Sequence, residues 1–242
     1  MLDEAGDLLL GSACVGCARP GRLLCPACVE DLPRRARLAW PAPTPPGLAP
    51  PWASAEYAGT ARALVLGHKE HRLWSLGPAL GDLLATAVRA ALEATGPAAV
   101  VLVPVPSRPS TVRQRGHDPT LAMTRAATTR LRREGLDVRL AALLRTRPGL
   151  ADQAGLDAAG RAANLAGSLR CPAAGVRRLR AHVTRAHVVV CDDVLTTGAT
   201  AAEAQRALTV AGLPPVAIAV VAATRRLLPL LDGALSSITP RG

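Results

Sequence analysis

The sequence predicts an α/β fold, in which a mostly parallel central sheet is flanked by helices and preceded by a small cysteine-rich module. Three continuous apolar runs, at residues 99–105, 187–191 and 216–222, are typical of strands that are buried on both faces. Segments with apolar residues at helical spacing, 76–92 and 200–211, lie between or beside these runs. Strands that alternate with helices favour a parallel sheet.

The chain between the first two apolar runs contains two further elements and a loop. Residues 122–133 have the pattern of a helix, and residues 138–144 have that of a strand. The polar, glycine-containing stretch that follows, 145–168, is expected to form a mobile loop.

Composition limits the classes of function. The chain of 242 residues is 49% hydrophobic, which is ample for a buried core, but only 2% aromatic with no Phe, so base-stacking platforms are not expected. The net charge of +11 favours a polyanionic partner, such as a phosphate-rich ligand or nucleic acid, or it only keeps the chain soluble. No apolar run reaches the roughly 18 residues of a membrane span, and the acidic start does not resemble a signal peptide. We therefore expect a cytoplasmic protein.

Four cysteines near the N-terminus form two Cys-x2-Cys pairs, Cys14 with Cys17 and Cys25 with Cys28. Each pair can present two thiolates to one tetrahedral Zn²⁺, and a reducing cytosol disfavours disulfides. Because cysteine would fill all four ligand positions, the predicted site is closed and structural rather than catalytic. The isolated Cys171 and Cys191 are interpreted as packing or loop residues.

The cysteines and a proline-rich stretch divide the chain. We predict a zinc-binding module at residues 1–40, a semi-rigid linker at 41–51 and the main α/β domain at 52–242. The proline-rich linker is not expected to carry a helix or an inner strand.

Residues 188–200 contain the most informative pattern in the chain. Four apolar residues lead to Asp192 and Asp193, and a hydroxyl-rich turn and a helix follow. Ligands of open α/β sheets bind at the carboxyl ends of strands, where this turn is predicted to lie. Helix N-terminal amides favour an anion there, so the turn is predicted to hold a phosphate group. Its candidate ligands are Thr196, Thr197, Gly198, Ala199 and Thr200.

The two carboxylates suit the sugar that such a phosphate would carry. Asp192 and Asp193 can accept hydrogen bonds from ribose hydroxyls and can orient Mg²⁺ directly or through water. The alternative is that Thr196 or Thr200 only caps the helix and the aspartates are ordinary loop residues. That alternative explains one hydroxyl, but it does not explain the whole set of residues in one turn.

The same segment resembles the signature with which type I phosphoribosyltransferases bind 5-phosphoribosyl-1-diphosphate (PRPP). Along nearly its whole length the chain resembles the ComF (competence protein F) family. Besides the four cysteines and the PRPP turn, the matching residues are Tyr57, Gly59, Lys69, Pro104, Val105, Pro106, Gln153, Leu156, Arg161 and Asn164. One motif departs from the pattern, because Arg115-Gly116-His117-Asp118-Pro119 stands where the family has Arg-Gly-Phe-Asn-Gln.

The resemblance implies a type I phosphoribosyltransferase fold with a hood and a zinc-ribbon-like module. It implies that Arg115 and Gly116 form a diphosphate-binding loop, with Arg113 as a second candidate cation. The Asp118 carboxylate, which replaces an amide of the family motif, weakens the case for anion binding there unless it contacts Mg²⁺. Lys69, the only lysine of the chain, and Arg161 on the mobile loop are the other candidate catalytic residues. An acceptor would lie under a hood formed by residues 57–74 and the C-terminal tail.

Two functions follow from the resemblance. The first is a phosphoribosyltransferase, a pentosyl-transferring glycosyltransferase, that uses Mg²⁺-PRPP and acts in competence and DNA uptake. The second is a non-catalytic adaptor in natural transformation that binds PRPP, a nucleotide or single-stranded DNA, with the zinc module contacting a DNA-processing protein such as a helicase. A third hypothesis, from the cysteine pairs alone, is a redox- or metal-sensing protein.

Overall fold

A six-stranded, mostly parallel sheet forms the centre of the computed structural model, which describes residues 12–96, 98–107, 112–113, 116–147, 167–183 and 185–224. The sheet contains β1 (Arg37–Leu38), β2 (Pro51–Glu56), β3 (Val100–Pro104), β4 (Val138–Leu140), β7 (His187–Leu195) and β8 (Ala217–Ala223). Its strand order is β1-β2-β8-β7-β3-β4, and only β1 runs antiparallel to its neighbour. Two short strands, β5 (Arg145–Thr146) and β6 (Leu169–Arg170), form a separate antiparallel ribbon. The predicted α/β class with a mostly parallel sheet is confirmed.

Helices pack on both faces of this sheet. They are α1 (Pro26–Glu30), α2 (Gly59–Glu70), α3 (Gly77–Thr95), α4 (Pro119–Arg133), α5 (Ala173–Arg180) and α6 (Ala199–Val210), with a 3-10 turn at Trp74–Leu76. Helices α2, α3 and α4 cover one face, where Val100 and Leu102 of β3 point. Helix α6 covers the other, where Val101 and Val103 point. This alternation explains why the strand is apolar at every position. None of the described helices is both long and apolar enough to cross a membrane.

Strand β7 is longer than the apolar run that predicted it. Its pairing with β8 continues through Val194, opposite Ala222, and Leu195, opposite Ala223. The two aspartates therefore lie inside the last part of the strand instead of beyond its end. Strand β4 is shorter than predicted and ends at Leu140. Residues 148–166 of the predicted loop lie outside the described residues.

Strand β2 was not predicted, because its sequence begins with proline and contains three small residues. It nevertheless lies inside the sheet, between β1 and β8. Pro51 occupies its first position, where proline is tolerated in strands. The segment assigned to the cysteine module also provides β1 to this sheet. The division of the chain at residues 40 and 51 stays a prediction.

The proline-rich segment 41–51 packs against the main sheet and helix α6. Leu48 is buried, and the amide of Ala49 donates to Gln205 Oε1 at 2.8 Å. Gln205 Nε2 in turn donates to the carbonyl of Gly47 at 2.6 Å. The two hydrogen bonds fix the segment beside the helix that begins at the predicted phosphate turn.

Candidate functional site

Asp192 and Asp193 occupy the carboxyl-terminal part of β7, which continues to Leu195. The amide of Asp193 donates to Asp192 Oδ1 at 2.9 Å, and the amide of Val194 donates to Asp193 Oδ1 at 2.7 Å. Asp193 is buried, whereas Asp192 is half-buried. Burial and the negative charge of Asp193 raise the pKa of Asp192 well above its ordinary value. A ligand that donates hydrogen bonds, or a cation, would relieve this crowding of negative charge.

Lys69, a candidate catalytic residue, lies beside this aspartate pair. It is in the last turn of α2, and its Nζ donates to Asp193 Oδ2 at 2.5 Å. The contact joins residues 124 positions apart in the chain. Lys69 is thus a member of the site, but its contact in this structure is a carboxylate. A direct contact with phosphate stays a prediction.

The turn after β7 has the shape that an anion-binding loop needs. Gly198 is the N-cap of α6 and adopts a left-handed conformation, with φ 76°. The amide of Ala199 donates to the Thr197 hydroxyl oxygen at 3.4 Å. No hydrogen-bond acceptor lies on the amides of Thr200 and Ala201 within the described part of the chain. These amides, at the positive end of the helix dipole, are available to an anion.

The threonines of the turn differ in exposure. Thr196 is exposed, whereas Thr197 and Thr200 are half-buried, as is Ala199. The side chain at the N-cap position makes no capping hydrogen bond, because the N-cap residue is glycine. Helix capping by Thr196 or Thr200 is therefore not the role of these hydroxyls in this structure.

The proline-rich segment approaches Gly198 closely. A Cβ atom at that position would lie 2.9 Å from Pro41 Cγ and 3.3 Å from Pro45 Cδ. The 2.9 Å distance is shorter than real Cβ contacts, so the turn or the proline ring would have to shift, and the 3.3 Å distance is tight. Glycine is thus required at this position by both its conformation and its neighbours, and the prolines support the turn from outside.

The atypical motif lies in the loop that leads into α4. Gly116 has φ 82°, and Asp118 caps the helix by accepting the amide of Leu121 at 3.1 Å. Asp118 also accepts hydrogen bonds from the amide and the hydroxyl of Ser107, at 3.3 and 3.2 Å. The carboxylate thus connects the loop after β3 to the start of α4. These contacts give Asp118 a structural role at an N-cap, where the positive end of the helix dipole favours its negative charge.

Several predicted site residues lie outside the described residues. They are Arg115, Arg161 and three other residues that carry the family resemblance, Gln153, Leu156 and Asn164. Arg113, the second candidate for the diphosphate, is described and exposed. The roles of Arg115 and Arg161 stay predictions.

An aromatic cluster beside the aspartates was not predicted from the sequence. The rings of His68 and His117 meet edge to face, with centroids 5.3 Å apart. The ring centroids of Trp74 and His117 are 5.4 Å apart. His68 is buried and precedes Lys69, while Trp74 is 58% exposed. Burial and the charge of His117 lower the pKa of His68 to about 4, and the negative charge of Asp193 opposes this shift only in part. His68 is therefore neutral at physiological pH.

The four N-terminal cysteines converge as the spacing predicted. Their sulfur atoms all lie within 4.8 Å of one another, and three of the residues are buried while Cys17 is exposed. Cys17 Sγ and Cys25 Sγ are 3.6 Å apart, close to the roughly 3.8 Å edge of a tetrahedron with Zn–S bonds of about 2.3 Å. The amide of Cys25 donates to Cys14 Sγ at 3.4 Å, as amides do to metal-bound thiolates. The cluster could hold a metal ion such as zinc.

The thiols of the cluster differ in acidity. Burial alone would raise the pKa of Cys14, but hydrogen bonds from the amides of Cys25, Cys17 and Gly16 lower it to about 6. The neighbouring Cys25 thiol, together with burial, raises the pKa of Cys28 to about 12. Four thiolates so close together repel one another, and a divalent cation between them removes that cost.

We expect Cys25→Ser/Cys28→Ser to lose bound metal completely, because two of four ligands are replaced. The measurement is zinc per chain by elemental analysis after purification. Cys171→Ser is the matched control, because Cys171 lies outside the cluster, and it should retain the metal. Zinc retained by the double variant would show that these residues are not the ligands.

No family model matches the chain, and no curated protein sequence matches it.

Proposed function

We propose that the protein binds PRPP, or a related ribose phosphate, with Mg²⁺ at the carboxyl end of β7. One observation carries the proposal: the buried strand β7 has Asp192 and Asp193 in its carboxyl-terminal part, and a left-handed Gly198 turn then opens a helix with available amides. The same order of features is the PRPP signature of type I phosphoribosyltransferases. This likeness supports the further proposal that the chain has that fold and belongs to the ComF family.

The turn would hold the 5-phosphate of the ligand. The amides of Thr200 and Ala201 point from the helix N-terminus, and the exposed Thr196 hydroxyl adds a donor. Because Gly198 has no side chain, its backbone can approach the phosphate closely. The prolines behind the glycine keep the turn in place.

The aspartates would hold the ribose. Ribose hydroxyls can donate to Asp192, whose pKa is raised by burial and by the negative charge of Asp193. Mg²⁺, which prefers oxygen ligands, would supply positive charge for the diphosphate. Lys69 pairs with Asp193 and thereby helps to orient that carboxylate. Arg115 and Gly116 belong to the loop proposed to receive the diphosphate.

The aromatic cluster favours transfer over binding alone. In a transfer, the bond from the ribose C1 to the diphosphate oxygen breaks, the acceptor atom bonds to C1, and the acceptor loses its proton to solvent. Such a reaction needs a second ligand near the sugar. Trp74 is exposed and packs on His117, and the adjacent His68 feels the charge of Asp193. The cluster gives an acceptor an apolar wall that the composition did not predict.

The second candidate is the non-catalytic adaptor in natural transformation, and the net charge of +11 favours it. In that function the zinc module is structural and presents a surface to a DNA-processing partner, in the cytoplasm. Binding of single-stranded DNA by such a basic surface should weaken steeply with salt.

Calorimetric titration with Mg²⁺-PRPP tests the site, and diphosphate release across a panel of purine and pyrimidine bases tests transfer. We expect saturable PRPP binding, with release stimulated by at least one base. Saturable binding without release by any base, together with salt-sensitive binding of single-stranded DNA, would favour the adaptor. If the metal-loaded protein does not bind PRPP, the proposed PRPP site is contradicted, both for the transferase and for an adaptor that binds PRPP.

A further inference from the structure

A basic groove lies beside the second half of helix α6, where α5 and the β5–β6 ribbon approach it. It has a volume of about 420 Å³ and is lined by five arginines, Arg147, Arg170, Arg177, Arg180 and Arg206. We refer to it as the arginine groove. No acidic residue lines it within the described part of the chain.

Three separate elements bring these arginines together. Arg170 belongs to β6, and Arg147 directly follows β5. The amide of Arg147 continues the ribbon by donating to the carbonyl of Ser168 at 2.8 Å. Arg177 and Arg180 lie three positions apart on one face of α5, and Arg206 lies on α6. The charges therefore converge through tertiary structure, since they are dispersed along 60 residues of sequence.

The arginines divide into anchored and available groups. Arg206 is anchored, because its Nε donates to Glu203 Oε2 at 2.6 Å and its guanidinium also reaches the carbonyl of Leu169 at 3.0 Å. Glu203 is buried, and this pairing offsets the cost of burying its charge. Among the described residues, Arg180 donates to the carbonyl of Gly212, at 3.3 Å, and to no carboxylate. Across the described segments, Arg147, Arg170 and Arg177 have no carboxylate partner.

The floor between these charges is apolar. Leu169 and Val176 are buried in it, and Val210, at 79% exposure, forms part of its open side. All five arginines are exposed, so their guanidinium groups are accessible to an anion above this floor.

We propose that the arginine groove is a binding site for a small polyphosphate anion, separate from the PRPP site. A planar guanidinium group can donate two parallel hydrogen bonds to the oxygens of one phosphate. Several arginines along one groove therefore match a chain of linked phosphates. The volume lies within the range of sites for small molecules. A single-stranded nucleic acid is less well matched, because no aromatic side chain lines the groove to stack its bases.

The proposal does not depend on PRPP binding. The aspartates and the phosphate turn lie at the N-terminal end of α6, whereas the groove uses Arg206, Ala207 and Val210 in its second half. The two sites can therefore be tested independently in one protein, and either can fail alone.

The test is calorimetric titration of the full chain with inorganic tripolyphosphate, with and without saturating PRPP. Arg147→Gln/Arg177→Gln removes two of the available arginines, and we expect its affinity for tripolyphosphate to fall about a hundredfold. The matched control is Arg178→Gln, which changes an exposed arginine of the same helix that does not line the groove. This control should bind tripolyphosphate as the unmodified protein does. Both variants should bind PRPP with the affinity of the unmodified protein.

ATP and a single-stranded oligonucleotide complete the design. ATP binding that depends on Arg147 and Arg177 would show that the groove accepts the phosphate chain of a nucleotide. The proposal is overturned if tripolyphosphate does not bind, if PRPP displaces it, or if Arg178→Gln weakens binding as much as the double variant. Binding of the oligonucleotide alone would identify the groove as a nucleic-acid surface instead.

Discussion

The variant Asp192→Asn/Asp193→Asn is expected to bind PRPP at least about a hundredfold more weakly than the unmodified protein, while its sheet stays folded. Asparagine keeps the shape of aspartate and can still accept the amide of Val194, which donates to Asp193 at 2.7 Å. It cannot supply the negative charge that orients ribose hydroxyls and Mg²⁺. Calorimetric titration gives the affinity, and thermal unfolding monitored by circular dichroism reports the fold.

Two opposite effects on stability accompany this change. Loss of the Asp193 charge removes the ion pair with Lys69, whereas loss of both charges removes their mutual repulsion, which raises the pKa of Asp192. Asp137→Asn is the matched control, because Asp137 is an exposed aspartate on the chain between α4 and β4. It should leave PRPP affinity unchanged. Unfolding of the double variant would show that the aspartates hold the sheet together, and undiminished PRPP binding would place the ligand elsewhere.

The single variants separate the two carboxylates. Asp193→Asn should also alter the environment of His68, because the Asp193 charge raises the pKa of that imidazole against burial. Removing the charge should therefore lower the pKa of His68 further below about 4, as measured by NMR titration of its ring protons. Asp192→Asn should leave it nearer its present value. The reverse order of effects would contradict the arrangement of these three residues.

The buried strands were predictable because their physical cause is local. Val100 to Val103 are apolar at every position, and the structure places alternate members against opposite helical layers. The cysteine cluster was predictable for the same reason, since the spacing of Cys14, Cys17, Cys25 and Cys28 alone brings each pair within reach of one metal ion. The turn around Gly198 was also predictable, because only glycine tolerates its conformation without strain.

Features that depend on tertiary contacts could not be predicted. The Lys69–Asp193 ion pair joins α2 to β7, and the Trp74–His117 contact joins a 3-10 turn to the loop before α4. Nothing in the local pattern of either residue indicates its partner. Strand β2 was missed because its pairing with β8, not its own propensity, makes Pro51–Glu56 extended. The only local signals for these contacts were that Lys69 is the only lysine of the chain and that His117 stands in an atypical motif.

Gly198→Ala is expected to have the second large effect, on both stability and PRPP binding. Alanine at φ 76° is strained, and its methyl group would lie 2.9 Å from Pro41 Cγ. Either the turn or the proline-rich segment must move, and the segment is held to α6 through Gln205. We expect a loss of about 2 kcal/mol in the free energy of unfolding, which lowers the melting temperature by roughly 4–8 °C. PRPP affinity should fall about tenfold or more, because the amides of the turn lose their alignment.

Gly135→Ala separates strain from contact. Gly135 has φ 87°, but nothing lies within 4 Å of a Cβ atom built there. Its substitution should cost only the conformational strain, about 1 kcal/mol, and should leave PRPP affinity unchanged. The difference in unfolding free energy between the two variants then measures the contact of the proline-rich segment with the turn. Equal losses would mean that Pro41 and Pro45 yield freely, and the segment 41–51 would then act as the linker that its composition predicts rather than as a support for the phosphate turn.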